Sequence, residues 1–576
     1  MGYFRAVATD LDGTLAYHDE VDPEVIGALR EIRARGIRTV LVTGRILAEL
    51  RQVFPTLEDE FDLVVAENGG VLSGPTGVRA LSSPVDPDLA PALTRRDVPI
   101  RVGRVLLACG AGCEEAVAEE VRRSGYELQL VRNRGALMVL PTGVNKGMGV
   151  VEALGDLGVS RHSTVALGDA ENDHSLLAAC ELGAAVADAV FPLRRHADVV
   201  LEKAGAKGVA DFLRSPLFLG EERAPSPRWQ LELGRCLDGE SEALIPASQV
   251  NVLVSGGTTS GKSYLAGLAA EQLAALGYSV VVLDLEGDHA HLESLRGILG
   301  FSHGRLPKPE DLPGLLTHRF SSVVLDLSLE PPEEKQAYAR RVLTVLLRLR
   351  RTMGLPHWIV LEEAHHVLTD PHFAQQVLSD PVRGLLLVSW RPADLPEAVW
   401  DRIDVLAALC GREVAVGGTP EIMAHGSGES PGAMTELLEE TNPGEFLLLY
   451  RDAPGRGVRR CRLGERRTDH IRHWRKYADA TLPPDRGFSF HQSDPDADPA
   501  QASNLREFVH ILADADPHTI RHHADRSDFS RWIRTTVQDT WLASVVASTE
   551  EEVRADGDVD TTRRQILDAV RFRYGA

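Results

Sequence analysis

Through the first 215 residues, short apolar runs alternate with amphipathic stretches. FRAVATD (4–10), IRTVLVT (37–43), DLVVAE (62–67) and STVALGD (163–169) read as strands, and ADVVLE (197–202) as a weaker one. Between the first two, Val25, Ile26, Leu29 and Ile32 recur at the spacing of one helix face, and Gly36 follows. Strand, helix and strand in close succession predict parallel βαβ units. Residues 72–140 interrupt the series with Pro-rich turns, short strands and one helix near 113–124, the pattern of an inserted α+β unit.

A second series begins at Val250. NVLVSG, SVVVLDLE, SSVVLDLS, HWIVLEE and GLLLVSW are five strand candidates, mostly separated by helical stretches. A long helix is predicted from about 333 to 352, and residues 403–463 mix short strands with a Gly-rich loop, HGSGESPGA (425–433). Residues 216–245 carry few periodic apolar positions and read as a linker or lead-in. The last 110 residues hold few long apolar strands. SNLREFVHILA, HTIRHHADRSDFSRWIRTTV and TTRRQILDAVRFRY read as helices, and HQSDPDADPAQA (491–502) as a loop. The expected division is 1–215 with an insertion at about 72–140, the lead-in 216–245, a second α/β domain at 246–465 and a helical domain at 466–576.

A chain of 576 residues is long enough for several domains. Lys and Arg total 62 against 84 Asp and Glu, a net charge of -22, which argues against coating nucleic acid by bulk electrostatics. Six cysteines are too few for a disulfide scaffold. Cys109 and Cys113 lie close together, but no second pair completes a zinc site. No stretch reaches 18 apolar residues, and the first residues do not read as a secretory leader, so a cytoplasmic protein without a membrane span is expected.

The strand FRAVATD runs into Asp10, Leu11, Asp12, Gly13 and Thr14. Two carboxylates at the carboxyl edge of a parallel sheet occupy a ligand position, where one can attack or bind metal and the other can move protons. Three further clusters fall at the same edge: Thr43-Gly44-Arg45, the helix start Gly143–Lys146, and Gly168–Asp173. DLDGT, TGR, that lysine and GDAEND resemble the four signature elements of the haloacid dehalogenase-like hydrolases, and their order and spacing resemble the branch with a large α/β cap. The resemblance spans about residues 4–212. It implies a Mg²⁺-dependent phosphatase in which Asp10 attacks phosphorus and Asp12 serves as acid and then base. Thr43 would hold a phosphoryl oxygen and Lys146 would neutralise charge. Asp10 and Asp169 would bind Mg²⁺, Asn172 and Asp173 would orient the lysine and complete the metal's surroundings, and Asp12 is counted with Asp10, Asp169 and Asp173 as a metal residue. A small phosphorylated metabolite enclosed by the cap is the expected substrate.

The strand NVLVSG opens into GGTTSGKS and then a helix, the phosphate-cradling pattern in its required strand–loop–helix context. Gly256, Gly257, Thr258, Thr259, Ser260 and Gly261 form the loop, Lys262 would reach the β- and γ-phosphates, and Ser263 would hold Mg²⁺. HWIVLEE ends in Glu362, placed to support Mg²⁺, and Glu363, placed to polarise water; Ser389, at the end of GLLLVSW, is a candidate sensor of the γ-phosphate. The set resembles the HerA- and FtsK-like P-loop ATPases over about residues 240–463. That resemblance implies ATP as substrate and a homo-oligomer, commonly a hexameric ring, in which a neighbour lends an arginine; residues 340–351, Arg391 and Arg402 supply candidates.

The expected architecture is therefore α/β and multidomain: a Rossmann-like hydrolase core with an inserted α+β cap, a RecA-like ATPase core and a mostly helical tail. The competing readings are a nucleic-acid end-processing phosphatase and kinase, a DNA-translocating ATPase, and a nucleotide-gated regulatory scaffold. The Glu362–Glu363 pair favours hydrolysis over phosphoryl transfer to an acceptor, and nucleic acid is not the favoured partner.

Overall fold

A computed structural model describes every residue except 1, 134, 240, 258, 380–382, 410–416, 452–456, 470–473, 480, 492–499, 555–557 and 575–576. The first sheet begins with β1 (Ala6–Thr9), β2 (Arg38–Val42) and β3 (Leu63–Ala66), joined in parallel. Both faces of these strands are covered, which is why they read as unbroken apolar runs rather than as alternating patterns. Between β1 and β2, α1 (Pro23–Ala34) starts on Asp22, whose carboxylate accepts from the Glu24 amide at 2.8 Å. It buries Val25, Ala28, Leu29 and Ile32, each worth about 1.5–3 kcal/mol for a large side chain.

β4 (Val71–Gly74) extends this sheet antiparallel to β3, and β5 (Gly77–Ala80) pairs antiparallel with β4, so the insertion leaves the sheet after residue 80 rather than at 72. The inserted unit is a four-stranded antiparallel sheet of β6 (Arg101–Val102), β7 (Leu107–Gly110), β8 (Leu128–Asn133) and β9 (Ala136–Pro141), in the order β8-β9-β7-β6. The chain returns through α2 (Lys146–Leu157) to β10 (Thr164–Gly168), β11 (Leu182–Ala185) and β12 (Val199–Val200). The eight-stranded order is β12-β11-β10-β1-β2-β3-β4-β5, with β1 central.

Residues read as a lead-in carry structure of their own. β13 (Gln230–Cys236) and β14 (Glu242–Pro246) form a hairpin that joins the second sheet. Gly234 and a register shift between Glu232 and Arg235 break the two-residue alternation that would have announced β13. The sheet continues with β15 (Val252–Gly256), α3 (Lys262–Leu276), β16 (Val280–Asp284), β17 (Ile298–Phe301), β18 (Ser322–Asp326), α4 (Pro332–Met353), β19 (Trp358–Leu361), β20 (Leu385–Ser389), β21 (Val405–Leu409), β22 (Glu445–Tyr450) and β23 (Val458–Leu463). Its order is β14-β13-β23-β22-β21-β15-β20-β19-β16-β18-β17, parallel from β21 to β17 and antiparallel beyond. The Gly-rich stretch 425–433 is not a plain loop: helices Thr419–Ser427 and Pro431–Glu439 meet there around Gly428 at φ +78.

The described part of the C-terminal region packs helices Leu505–Asp514, Pro517–Asp525, Thr540–Arg554 and Val559–Tyr574 around Phe508, Phe529 and Trp532, beside a two-stranded ribbon. Residues 470–473 of the expected helical domain and 492–499 of the expected loop lie outside the described residues. Among the described residues no helix is long and apolar enough to cross a membrane.

The two large sheets meet back to back. Arg5, just before β1, donates to the Arg350 carbonyl at 2.8 Å, and Arg161 and His162, just before β10, reach the Leu276 carbonyl at the end of α3. These contacts come from strand beginnings, whereas the acidic motifs lie at strand ends. The two candidate sites therefore face away from each other.

Candidate functional site

Asp10 follows β1 and is 3% exposed. Lys146 opens α2, whose Asn145 cap accepts from the Met148 amide at 2.9 Å. This cap aims a fully buried ammonium at the sheet edge, where Lys146 Nζ lies 2.5 Å from both Asp10 Oδ1 and Asp173 Oδ1. The α2 start can come so close because Gly69, at φ +105, lies against the Asn145 carbonyl, where a Cβ would collide. Asp173 Oδ2 accepts from the amides of Asp169 and Ala170 at 3.0 Å, and Thr14 Oγ1 donates to Asp169 Oδ1 at 3.3 Å.

Asp10, Asp169 and Asp173 each offer an oxygen, all within 4.8 Å of one another and all buried. Hard carboxylate oxygens packed this closely fit Mg²⁺. Burial first, and then the charge of Asp173, push the Asp10 carboxyl up against the pull of Lys146. Burial also opposes charge on Lys146, but its two carboxylate partners outweigh it and raise its pKa.

Asp12 does not join this cluster. Arg45 holds it through both oxygens, Nε to Oδ2 at 2.9 Å and Nη2 to Oδ1 at 2.5 Å, and reaches Asp19 as well. The metal role expected of Asp12 is thus not supported by its position, since its oxygens are turned to the guanidinium. Thr43 is fully buried, and its hydroxyl accepts from the Arg45 amide at 3.2 Å.

Two residues around this edge escaped the reading of the sequence as site residues. Glu67, buried at φ +53, accepts from the amides of Arg104, Val105 and Leu106 and so ties the cap to the core. Asn68 accepts from Asn172 Nδ2 at 3.1 Å. Both lie in AENGG, but a glutamate facing three amides of a distant segment has no local signature. The cap closes on the site with Leu106, Ala108, Met138 and Leu140, an apolar face packed against Ile46 and Val144.

At the second sheet, β15 ends at Gly256, and Gly257, Thr259, Ser260 and Gly261 lead into α3; Thr258 lies outside the described residues. Gly261 takes φ +103, a turn that glycine allows without strain. Lys262 Nζ donates to the Gly257 carbonyl at 2.8 Å, folding the ammonium over the loop, and the buried Ser260 hydroxyl has no hydrogen-bond partner among the described residues. Ser263 Oγ lies 3.5 Å from Glu362 Oε2, although the two are 99 residues apart in sequence. β20 separates β15 from β19, so Glu362 and Glu363 reach the loop across one intervening strand.

Glu362 Oε1 also meets His289 Nε2 at 2.7 Å. Burial works against a charged His289, but the Glu362 hydrogen bond and the charges of Asp284 and Glu362 raise its pKa. Glu363 stands in a left-handed turn at φ +46, and burial together with Glu362 pushes its carboxyl up to about 8. Ser389 is fully buried and bound to His365 Nδ1 at 3.0 Å, and that nitrogen lies 3.4 Å from Glu363. The serine expected to meet a γ-phosphate is therefore held one residue back, with His365 between it and the acidic pair. Arg350 is removed from the arginines open to a neighbouring copy. It is buried and donates to the carbonyls of Pro356, Arg383, His357 and Gly384.

Comparison with known proteins bears on the first site. The family model described as haloacid dehalogenase-like hydrolase matches residues 7–93 and 115–213. The phosphoglycolate phosphatase of Methanopyrus kandleri is 34% identical over 239 residues, covering 37% of this chain and 96% of that protein. That of Methanothermobacter thermautotrophicus is 30% identical over 227 residues, covering 38% and 99%. A solved haloacid dehalogenase-like hydrolase from B. subtilis aligns with 37% of this chain and 100% of its own at 20% identity and a TM-score of 0.32. Through this N-terminal part, the chain belongs to the haloacid dehalogenase-like hydrolases.

Proposed function

We propose that the N-terminal part hydrolyses a small phosphate monoester through an aspartyl-phosphate on Asp10. The observation that carries this reading is Lys146 held at 2.5 Å from both Asp10 and Asp173, with Asp169 beside them. Asp10 would attack phosphorus. Lys146 offsets charge on the nucleophile and on the equatorial oxygens, the main requirement of phosphoryl transfer. Mg²⁺, held by Asp10, Asp169 and Asp173, would add charge neutralisation there. Asp12, steered by Arg45, protonates the leaving oxygen and afterwards takes a proton from water. Similarity to proteins named phosphoglycolate phosphatase supports a short phosphorylated acid as substrate. Incubating the full chain and Mg²⁺ with a panel of phosphorylated metabolites tests this: phosphoglycolate should head the ranking, and turnover of none would overturn it.

We propose further that the second sheet binds and hydrolyses ATP. The support is the juxtaposition of Lys262, Ser263, Glu362 and Glu363 at one sheet edge. Glu362 and Ser263 would hold Mg²⁺, Glu363 would activate water, and a second copy of the chain would lend an arginine to each site. Phosphate release from ATP with no acceptor present supports hydrolysis. Transfer of the γ-phosphate to a 5′-hydroxyl oligonucleotide would favour the end-processing alternative instead.

A further inference from the structure

Cys236 ends β13, and Cys461 lies opposite it on the antiparallel strand β23. The neighbouring pair is hydrogen-bonded, with the Leu237 amide donating to the Arg460 carbonyl at 2.8 Å. Residues 236 and 461 therefore form the alternate, non-hydrogen-bonded pair, whose Cα atoms approach to about 4.5 Å. That spacing falls within the range a disulfide spans, about 4.4–6.8 Å. The two sulfurs face each other at 2.6 Å, in a core where they are 2% and 0% exposed. The sequence offers no hint of this pairing, because 225 positions separate the two cysteines.

We propose that Cys236 and Cys461 are a reversible oxidation site that forms an intrachain cross-strand disulfide. With hydrogen peroxide as oxidant, one sulfur takes an oxygen and becomes a sulfenic acid as the first water leaves. The second sulfur attacks it, the S–S bond forms and the hydroxyl departs as a second water. Two thiols lose two protons and two electrons, and the peroxide is reduced to two waters.

The bond would join the strand that enters this sheet to the strand that leaves it. Beyond Cys461, Leu463 lies 3.5 Å from the position a Cβ on Gly261 would take, Tyr264 donates to the Gly464 carbonyl, and Arg466 pairs with Glu271 on α3. Oxidation thus fastens the segment that clasps the phosphate-loop helix. It is independent of whether that loop hydrolyses ATP.

The test is a peptide map of the full chain without reductant, after hydrogen peroxide and with alkylation of remaining thiols. The expected result is one linked peptide pair containing Cys236 and Cys461. It should be reversed by dithiothreitol and accompanied by a rise of several degrees, on the order of 5 °C, in the thermal midpoint. Cys461→Ser should abolish the linked pair. Full alkylation of both cysteines after oxidation, sulfinic acid at either, or links between separate chains would each overturn the proposal.

Discussion

Tyr278 donates its hydroxyl to Glu181 Oε2 at 2.8 Å, joining the start of one sheet to the other. The same carboxylate meets His162 Nδ1 at 2.8 Å and accepts from Ser248 at 2.5 Å, while the Trp229 indole donates to the Glu181 carbonyl. His162 stacks on Tyr278 at 3.8 Å. Strands of about five residues carry the chain from this buried hub to either candidate site, roughly 15 Å each way at about 3.3 Å per residue. A buried network of hydrogen bonds links the two halves.

Removing Glu181 leaves several buried donors without an acceptor. Glu181→Ala should cost about 3 kcal/mol or more in urea unfolding, against about 1 kcal/mol for Tyr278→Phe, which removes one hydrogen bond. Equal costs would contradict the hub.

His357 adds a pH dependence to this joint. Burial, and then the charges of His162 and Arg350, hold its pKa well below the usual value, and its Nδ1 accepts from the Ser279 amide at 2.8 Å. The folded state thus stays unprotonated where the unfolded chain takes up a proton, near pH 6.5 and below. Its contribution to stability is full above that pH and falls by about 1.4 kcal/mol per unit as pH drops further. Unfolding measured at pH 7 and 5.5 should show His357→Gln losing about one proton's worth of this slope. An unchanged slope would refute the assignment.

Arg45 and Asp12 make a separable prediction. Arg45→Ala frees Asp12 without removing it, so kcat should fall about tenfold, well short of the loss in Asp12→Asn. Steady-state kinetics on both variants decide this, and equal losses would mean that Arg45 acts on the substrate instead.

Glu363 is the residue on which the hydrolytic reading of the second site turns. Glu363→Gln should retain nucleotide binding, read by calorimetry, and lose about 100-fold or more in phosphate release. Retained turnover would remove Glu363 from the chemistry. Light scattering with ATP and Mg²⁺ should show a closed oligomer; a monomer at full activity would contradict an arginine shared between copies.

What was legible in the chain is what is local. Asp10, Lys146, Asp169 and Asp173 each sit in a short motif at a strand or helix end, and topology brings those ends together. The loop before Lys262 carries its glycine turn in the sequence itself. The pairing of Asp12 with Arg45 was not legible, because Arg45 lies one βα unit away and a carboxylate's preference for a guanidinium leaves no periodic trace. β13 was missed because Gly234 and a register shift spoil its alternation. The Glu181 hub draws on residues 162, 181, 248 and 278, each an ordinary polar residue until folding assembles them.

The chemistry proposed for the first site turns on Asp10 carrying the phosphoryl group. Quenching the full chain during turnover of phosphoglycolate and reducing it with borohydride converts an acyl-phosphate to an alcohol. Homoserine is expected at position 10 in the recovered peptide, dependent on substrate, with no phosphate release by Asp10→Asn. Unmodified Asp10 during active turnover, or an Asp10→Asn variant as fast as the native chain, would contradict it.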